Sequence, residues 1–182
     1  MLIRLSAVLS LSLTLASLAS AATVINAPID ELAKNSQVIL HGVVQHVDDH
    51  LADTRDGPFL TAIDLEIIEG IKGVDTTKEE TFRLVLPGGR AFDRIMRIPG
   101  MPRFSVGEEV VLLLEKHSRG YALAGLGLGV FKIERRGNLA IARRDLRGMH
   151  LVDAKRPSTG RLGSSPTLES LLDTLRAHGG VR

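Results

Sequence analysis

Between positions 41 and 50 the chain places three imidazoles and two carboxylates close together: His41, His46, Asp48, Asp49 and His50. On an extended strand, residues two and four apart share a face, so His46, Asp48 and His50 point the same way. Imidazole and carboxylate are ligand types that zinc accepts, and a metal-dependent hydrolase is the chemistry such a set would serve. The competing reading is the solvated end of a strand entering a loop, where polar residues are ordinary. Slightly further on, Asp49, Asp53 and Asp56-Gly57 offer oxygen ligands of the kind calcium takes, without the spacing of an EF-hand. A solvated loop is the reading preferred for them.

A second group is basic. Arg135, Arg136, Arg143, Arg144 and Arg147, with Glu134 and Asp145 among them, suit phosphate, an anionic polysaccharide or an acidic protein face. The plain alternative is a solvated hairpin. The run Ala124 to Phe131 contains G-x-G-x-G but lacks the third-glycine spacing of a dinucleotide fingerprint, and strand-forming residues follow where the phosphate-binding helix belongs. Those glycines read instead as places where a strand bends. There is no cysteine and no G-x-S-x-G, and His117 and His150 stand alone, so nucleophilic catalysis has no visible carrier. No cofactor is implied.

The elements that must position these groups are mostly strands. A short helix is expected over Ala27 to Lys34, with Pro28 in its first turn. The β-branched run Val38 to Val47 predicts a first strand. Asp48 to Pro58 reads as a connection. Thr61, Ile63, Leu65 and Ile67 then alternate with Ala62, Asp64, Glu66 and Ile68, predicting a second strand that Gly70 to Gly73 ends. Thr81 to Leu86 repeats the pattern. From Pro87 to Gly107 there are three prolines and four glycines, with only Ile95 to Ile98 as possible regular structure. Glu109 to Leu114 is a continuous apolar run, as in a strand buried on both faces. Tyr121 to Leu126 and Val130 to Glu134 are further strands, and Arg136-Gly137-Asn138 turns into Leu139 to Ala142. After a polar tether, Ser165 is placed to cap a last helix with Pro166 in its first position, and Leu168, Leu171, Leu172 and Leu175 line one face. The fold expected is mainly β: a small antiparallel OB-like barrel with a short N-terminal helix and an amphipathic C-terminal helix.

The domain reading is a signal peptide over 1–21, a barrel over 22–157, a tether over 158–165 and a helix over 166–178. Arg4, the apolar run Leu5 to Leu15 and Ala19-Ser20-Ala21 form the pattern of a cleavable secretory signal. A periplasmic or secreted location follows as an expectation. The absence of cysteine excludes disulfides and acylation at a lipobox, and no later apolar run is long enough to span a bilayer. Charge is uneven, with 12 acids against 4 bases over 22–80 and 9 bases against 3 acids over 132–161. Aromatic residues make up 3% of the chain, too few for the stacking platforms of a nucleic-acid-binding OB face.

Ser36-Gln37-Val38-Ile39-Leu40-His41-Gly42-Val43-Val44 resembles the opening of OB-like secreted domains, including the netrin-like domain of tissue inhibitors of metalloproteinases. Those inhibitors chelate zinc through an N-terminal cysteine, which this chain lacks, so the resemblance implies architecture alone. The segments Ile67 to Gly73, Pro87-Gly88-Gly89, Pro99 to Val110 and Ala124 to Gly127 resemble an uncharacterised bacterial family of exported proteins. Their shared motifs are structural glycines and strand residues, which imply no activity.

Three functions are weighed. The first is a non-catalytic extracytoplasmic binding module, its partner another extracytoplasmic protein, acting through Asp48 to Pro58 and Gly88 to Gly107. The second is the metal-dependent hydrolase using His46, Asp48 and His50. The third is an envelope protein that binds anionic surfaces through its arginine hairpin, which predicts affinity that falls steeply with salt.

Overall fold

A computed structural model describes residues 22–52, 57–118, 120–152 and 165–179. The signal segment 1–21, Asp53, Asp56 and most of the tether lie outside the described residues. The elements run β1 (Ala22–Ile25), α1 (Ile29–Asn35), β2 (Val38–Leu51), β3 (Leu60–Lys72), β4 (Thr81–Pro87), β5 (Gly89–Ala91), β6 (Arg94–Met96), β7 (Glu109–His117), β8 (Gly120–Leu123), β9 (Val130–Arg136), β10 (Leu139–Arg144), β11 (Met149–Val152) and α2 (Leu168–Gly179).

The main sheet has the order β10-β9-β7-β2-β3-β4, antiparallel throughout. Its central strand β7 is the apolar run Val110 to Leu114, and period-two geometry divides that run between two cores. Val110, Leu112 and Leu114 face one cluster, with Leu40, Leu65, Leu84 and Val130. Val111 and Leu113 face the other, with Ile39, Phe131 and the helix residues Leu171 and Leu175. The expectation of a strand buried on both faces therefore holds, and α1 and α2 supply the second cover.

The sheet curls around the first cluster. Phe82 on β4 and Tyr121 on β8 bring their rings to 5.6 Å between centroids. No hydrogen-bonded ladder joins β4 to β8 among the described residues, so the structure is a curled antiparallel sheet whose ladder stays open at that seam. Along one edge β7 pairs with β9 through Val110 to Leu112 and with β8 through Leu114 to His117. The G-x-G-x-G segment is the 3₁₀ turn Leu126–Gly129 that carries the chain between those two stretches. A Cβ on Gly129 would lie 2.5 Å from the Ala124 carbonyl oxygen, which requires glycine there.

Several boundaries differ from expectation. β2 continues to Leu51, through residues read as connection, because bulges in its ladder with β3 absorb the polar stretch. β3 runs on to Lys72. β8 ends at Leu123, before Leu126. α2 is capped by Thr167, whose Oγ1 accepts from the Ser170 N–H at 3.2 Å, and not by Ser165. The parallel pair β1–β11 and the hairpin β5–β6 carry no alternation in sequence and were not foreseen. No helix among the described residues is long and apolar enough to cross a membrane.

Candidate functional site: an arginine-bordered cleft

After β4, the chain breaks at Pro87-Gly88-Gly89 and turns back across the ends of β2 and β3. A Cβ at Gly89 would lie 2.6 Å from the Asp49 carbonyl oxygen and 2.8 Å from that of Leu60, so only glycine lets β5 approach so closely. That approach places Arg90 Nε 2.7 Å from Asp49 Oδ2. The hairpin then reverses through Phe92 and Asp93, both in the left-handed region at φ 47° and 68°. This is the backbone of a two-residue type I′ turn, which normally selects Asn-Gly. Phe92 in this turn and Ile95 and Met96 on β6 are 47%, 63% and 43% exposed.

Beyond the hairpin the chain turns at Ile98 to Met101 and returns to the sheet, where Met101 and Phe104 pack on the first core cluster. Lys132 fixes this return. Its ammonium donates to the Arg103 carbonyl at 2.6 Å and to both oxygens of Glu108, and sits 5.9 Å from the centre of the Phe104 ring.

Between hairpin, return segment and sheet lies an open cleft of about 1000 Å³. Ile63, Leu86, Ile95, Met96, Met101 and Phe104 give it apolar surface. Its charged lining is Arg90, Arg97, Arg103 and Arg147 against Asp49 and Asp145. Both acids are taken: Asp49 by Arg90, and Asp145 by Arg147, which donates to its two oxygens at 2.8 and 2.6 Å. The hydrogen bonds from Arg147 hold the Asp145 carboxyl below its ordinary range. Arg97 and Arg103, both exposed, have no carboxylate partner among the described residues. The cleft thus presents excess positive charge beside apolar surface, which suits a ligand carrying acidic and apolar groups together.

The residues singled out in the sequence are distributed differently. His46, Asp48 and His50 do not assemble a ligand set; among the described residues no three His, Asp or Glu side chains converge on a metal position. Asp48 Oδ1 accepts from the His50 backbone N–H at 3.0 Å, and His50 Nδ1 pairs with Asp49 Oδ1 at 2.9 Å. His46 and Asp48 stay in unbroken register with Asp64 and Ala62, and the ladder irregularity between Asp48 and Leu51 breaks the period of two before His50. Of the proposed oxygen set, Asp49 belongs to the cleft, while Asp53 and Asp56 lie outside the described residues.

Four of the five arginines of the basic group have a carboxylate of the chain beside them, with Arg136 and Arg143 sharing one. Arg135 donates to both oxygens of Glu109 at 2.7 Å, Arg143 and Arg136 flank Glu134 at 3.0 and 3.5 Å, and Arg147 holds Asp145. Arg144 differs. Its guanidinium lies 4.6 Å from the Phe131 ring centre, its Nε is buried with no acceptor, and burial pushes its pKa down to about 10.

His41, in the same initial cluster, is a buried structural group. Its Nε2 stands 2.8 Å from Glu109 Oε1. Burial opposes ionisation of Glu109, but the hydrogen bonds from Arg135 and His41 outweigh it and keep that carboxyl below the usual glutamate range. Opposite His41 on β3, Glu69 takes two hydrogen bonds from Arg176 of α2, at 2.9 and 2.8 Å, which lower its pKa against burial. The row Arg176, Glu69, His41, Glu109 and Arg135 therefore ties α2 and four strands together. The leucine stripe of α2 is buried on the same side of the sheet.

Sequence reading passed over Arg90, Arg97 and Arg103 as site residues. The available signal is a segment from 90 to 103 with four arginines and one aspartate, inside the Gly88 to Gly107 stretch through which binding is expected. No protein-family model, curated protein or solved structure matches this chain.

Proposed function

We propose that this protein is a non-catalytic extracytoplasmic binding module whose ligand is another protein, engaged at the cleft beneath the 88–107 segment. The observation that supports this most directly is the juxtaposition of exposed Phe92, Ile95 and Met96 with an open cleft carrying two unpaired arginines. Exposed apolar side chains raised on a hairpin beside a polar rim are the usual anatomy of a recognition surface. Phe92 adds a second argument. A bulky residue at positive φ costs of order 1–3 kcal/mol, and such strain persists where a side chain must be presented in one orientation.

The test is site-specific photo-crosslinking of the full-length protein in its native envelope and secreted fractions. A photoreactive amino acid at position 95 is expected to capture one reproducible protein, absent when the same group stands at exposed Thr77. Equal capture from both positions, or none from position 95, overturns the reading.

A further inference from the structure

Resting on the binding reading above, we infer that the ligand is an acidic polypeptide segment with interspersed apolar side chains, whose carboxylates pair with Arg97 and Arg103. Charge complementarity carries this. Within the cleft the carboxylates of Asp49 and Asp145 are each engaged by a guanidinium, so what remains to be neutralised is the pair Arg97 and Arg103. A guanidinium forks two parallel donors toward a carboxylate, and exclusion of water by apolar neighbours strengthens such pairs.

The two arginines stand at different parts of the lining. Arg97 follows β6 directly, next to Met96, while Arg103 precedes Phe104 on the return segment whose carbonyl Lys132 holds. Each is thus a cation adjoining an apolar side chain of the same cleft. A ligand that carries acidic and apolar residues within one short stretch offers both kinds of group along this lining.

The apolar surface also continues beyond the cleft. Phe92 lies outside the lining yet is nearly half exposed on the same hairpin as Ile95 and Met96. A compact anionic amphiphile would be covered by the cleft alone and would leave Phe92 without a role. A polypeptide extends past the cavity and reaches it.

The experiment measures fluorescence anisotropy of labelled peptides against the full-length protein. One peptide alternates Glu and Val over six residues between Gly-Ser flanks; its counterpart alternates Lys and Val. The acidic peptide is expected to bind, the basic one to show no binding, and raising salt to weaken the complex because exposed charges are screened within about 10 Å at 0.1 M. The double variant Arg97→Gln/Arg103→Gln is expected to lose affinity about tenfold or more. Arg136→Gln, which removes the same kind of charge from the β9–β10 hairpin, is expected to leave affinity unchanged. Thermal melting confirms that all variants fold.

Equal binding of both peptides, no binding of the acidic peptide, or unchanged affinity in the double variant overturns the inference. So does binding only to phosphatidylglycerol vesicles, which would make a membrane surface the ligand. If photo-crosslinking from position 95 still captures a protein in the double variant, the binding reading survives and only the acidic class fails. If capture from position 95 is absent in the wild-type protein as well, both fail.

Discussion

On the sheet, Arg135 closes on Glu109 and Arg176 on Glu69, each through two hydrogen bonds, with His41 buried between the two carboxylates. In the cleft, Arg97 and Arg103 meet no carboxylate among the described residues. The residue type is the same, but its partners differ. Paired arginines stitch strands and helix together and are spent on the fold; unpaired ones beside exposed apolar groups remain available to a ligand. Density of arginine along the chain does not tell the two apart, since four of the five arginines in the densest cluster lie against a carboxylate of the chain.

The comparison can be broken most severely where both regions share support. Leu112 of β7 is fully buried, and Leu112→Ala is expected to cost about 2–5 kcal/mol in denaturant unfolding, with loss of ligand capture following from loss of the sheet. A smaller effect separates the regions. Glu109→Ala leaves the buried His41 imidazole without its partner, for about 1–3 kcal/mol, while capture from position 95 persists at temperatures where the variant is folded.

The same carboxylates set an acid limit. Glu109 and Glu69 ionise more readily in the folded chain than at the ordinary value of 4.5, so the unfolded state binds protons first as pH falls. Their contribution is complete above about 4.5 and is lost as pH drops through the lower folded values. Urea midpoints measured across that range are expected to decline in the wild type and to flatten in Glu69→Gln/Glu109→Gln. An identical slope in both proteins would show that these pairs do not govern acid stability.

Arg144 occupies an intermediate position, half-buried over Phe131 with no anion beside it among the described residues. Replacing a poorly compensated buried charge by an apolar side chain of similar length is often neutral or stabilising, so Arg144→Met is expected to change stability by no more than about 1 kcal/mol, upward if at all. A marked loss would mean that the guanidinium has a structural partner. At the hairpin, Phe92→Asn places a turn-favoured residue at positive φ and is expected to raise stability by about 1 kcal/mol while weakening capture from position 95. Arg97→Gln should have the smallest effect on stability, within about 0.5 kcal/mol, since the side chain is exposed and unpaired. Its effect appears in binding instead.

The strands that alternate or run apolar were legible. Thr81 to Leu86, Glu109 to Leu114 and the turn after Arg136 follow from period, length and turn chemistry, which act over a few residues. The α2 stripe was legible too, although its cap was not, because Ser165 and Thr167 both have capping side chains and only the backbone path selects Thr167. The β5–β6 hairpin was not. Phe-Asp at its turn contradicts local preference, and the pairing is held by the approach of Gly89 to β2 and β3, residues distant in sequence.

Sequence alone determined the mainly β class, the strand buried on both faces and the amphipathic character of the last helix, because burial periodicity and propensity are local properties of the chain. Tertiary structure decided which ionisable groups are free. Whether an arginine is neutralised depends on a carboxylate arriving from another strand, 26 residues away for Glu109 and Arg135 and 107 for Glu69 and Arg176. The irregularity between Asp48 and Leu51 breaks the period of two before His50, and the hairpin and its return set where Arg97 and Arg103 stand, so both placements exist only once the sheet has formed.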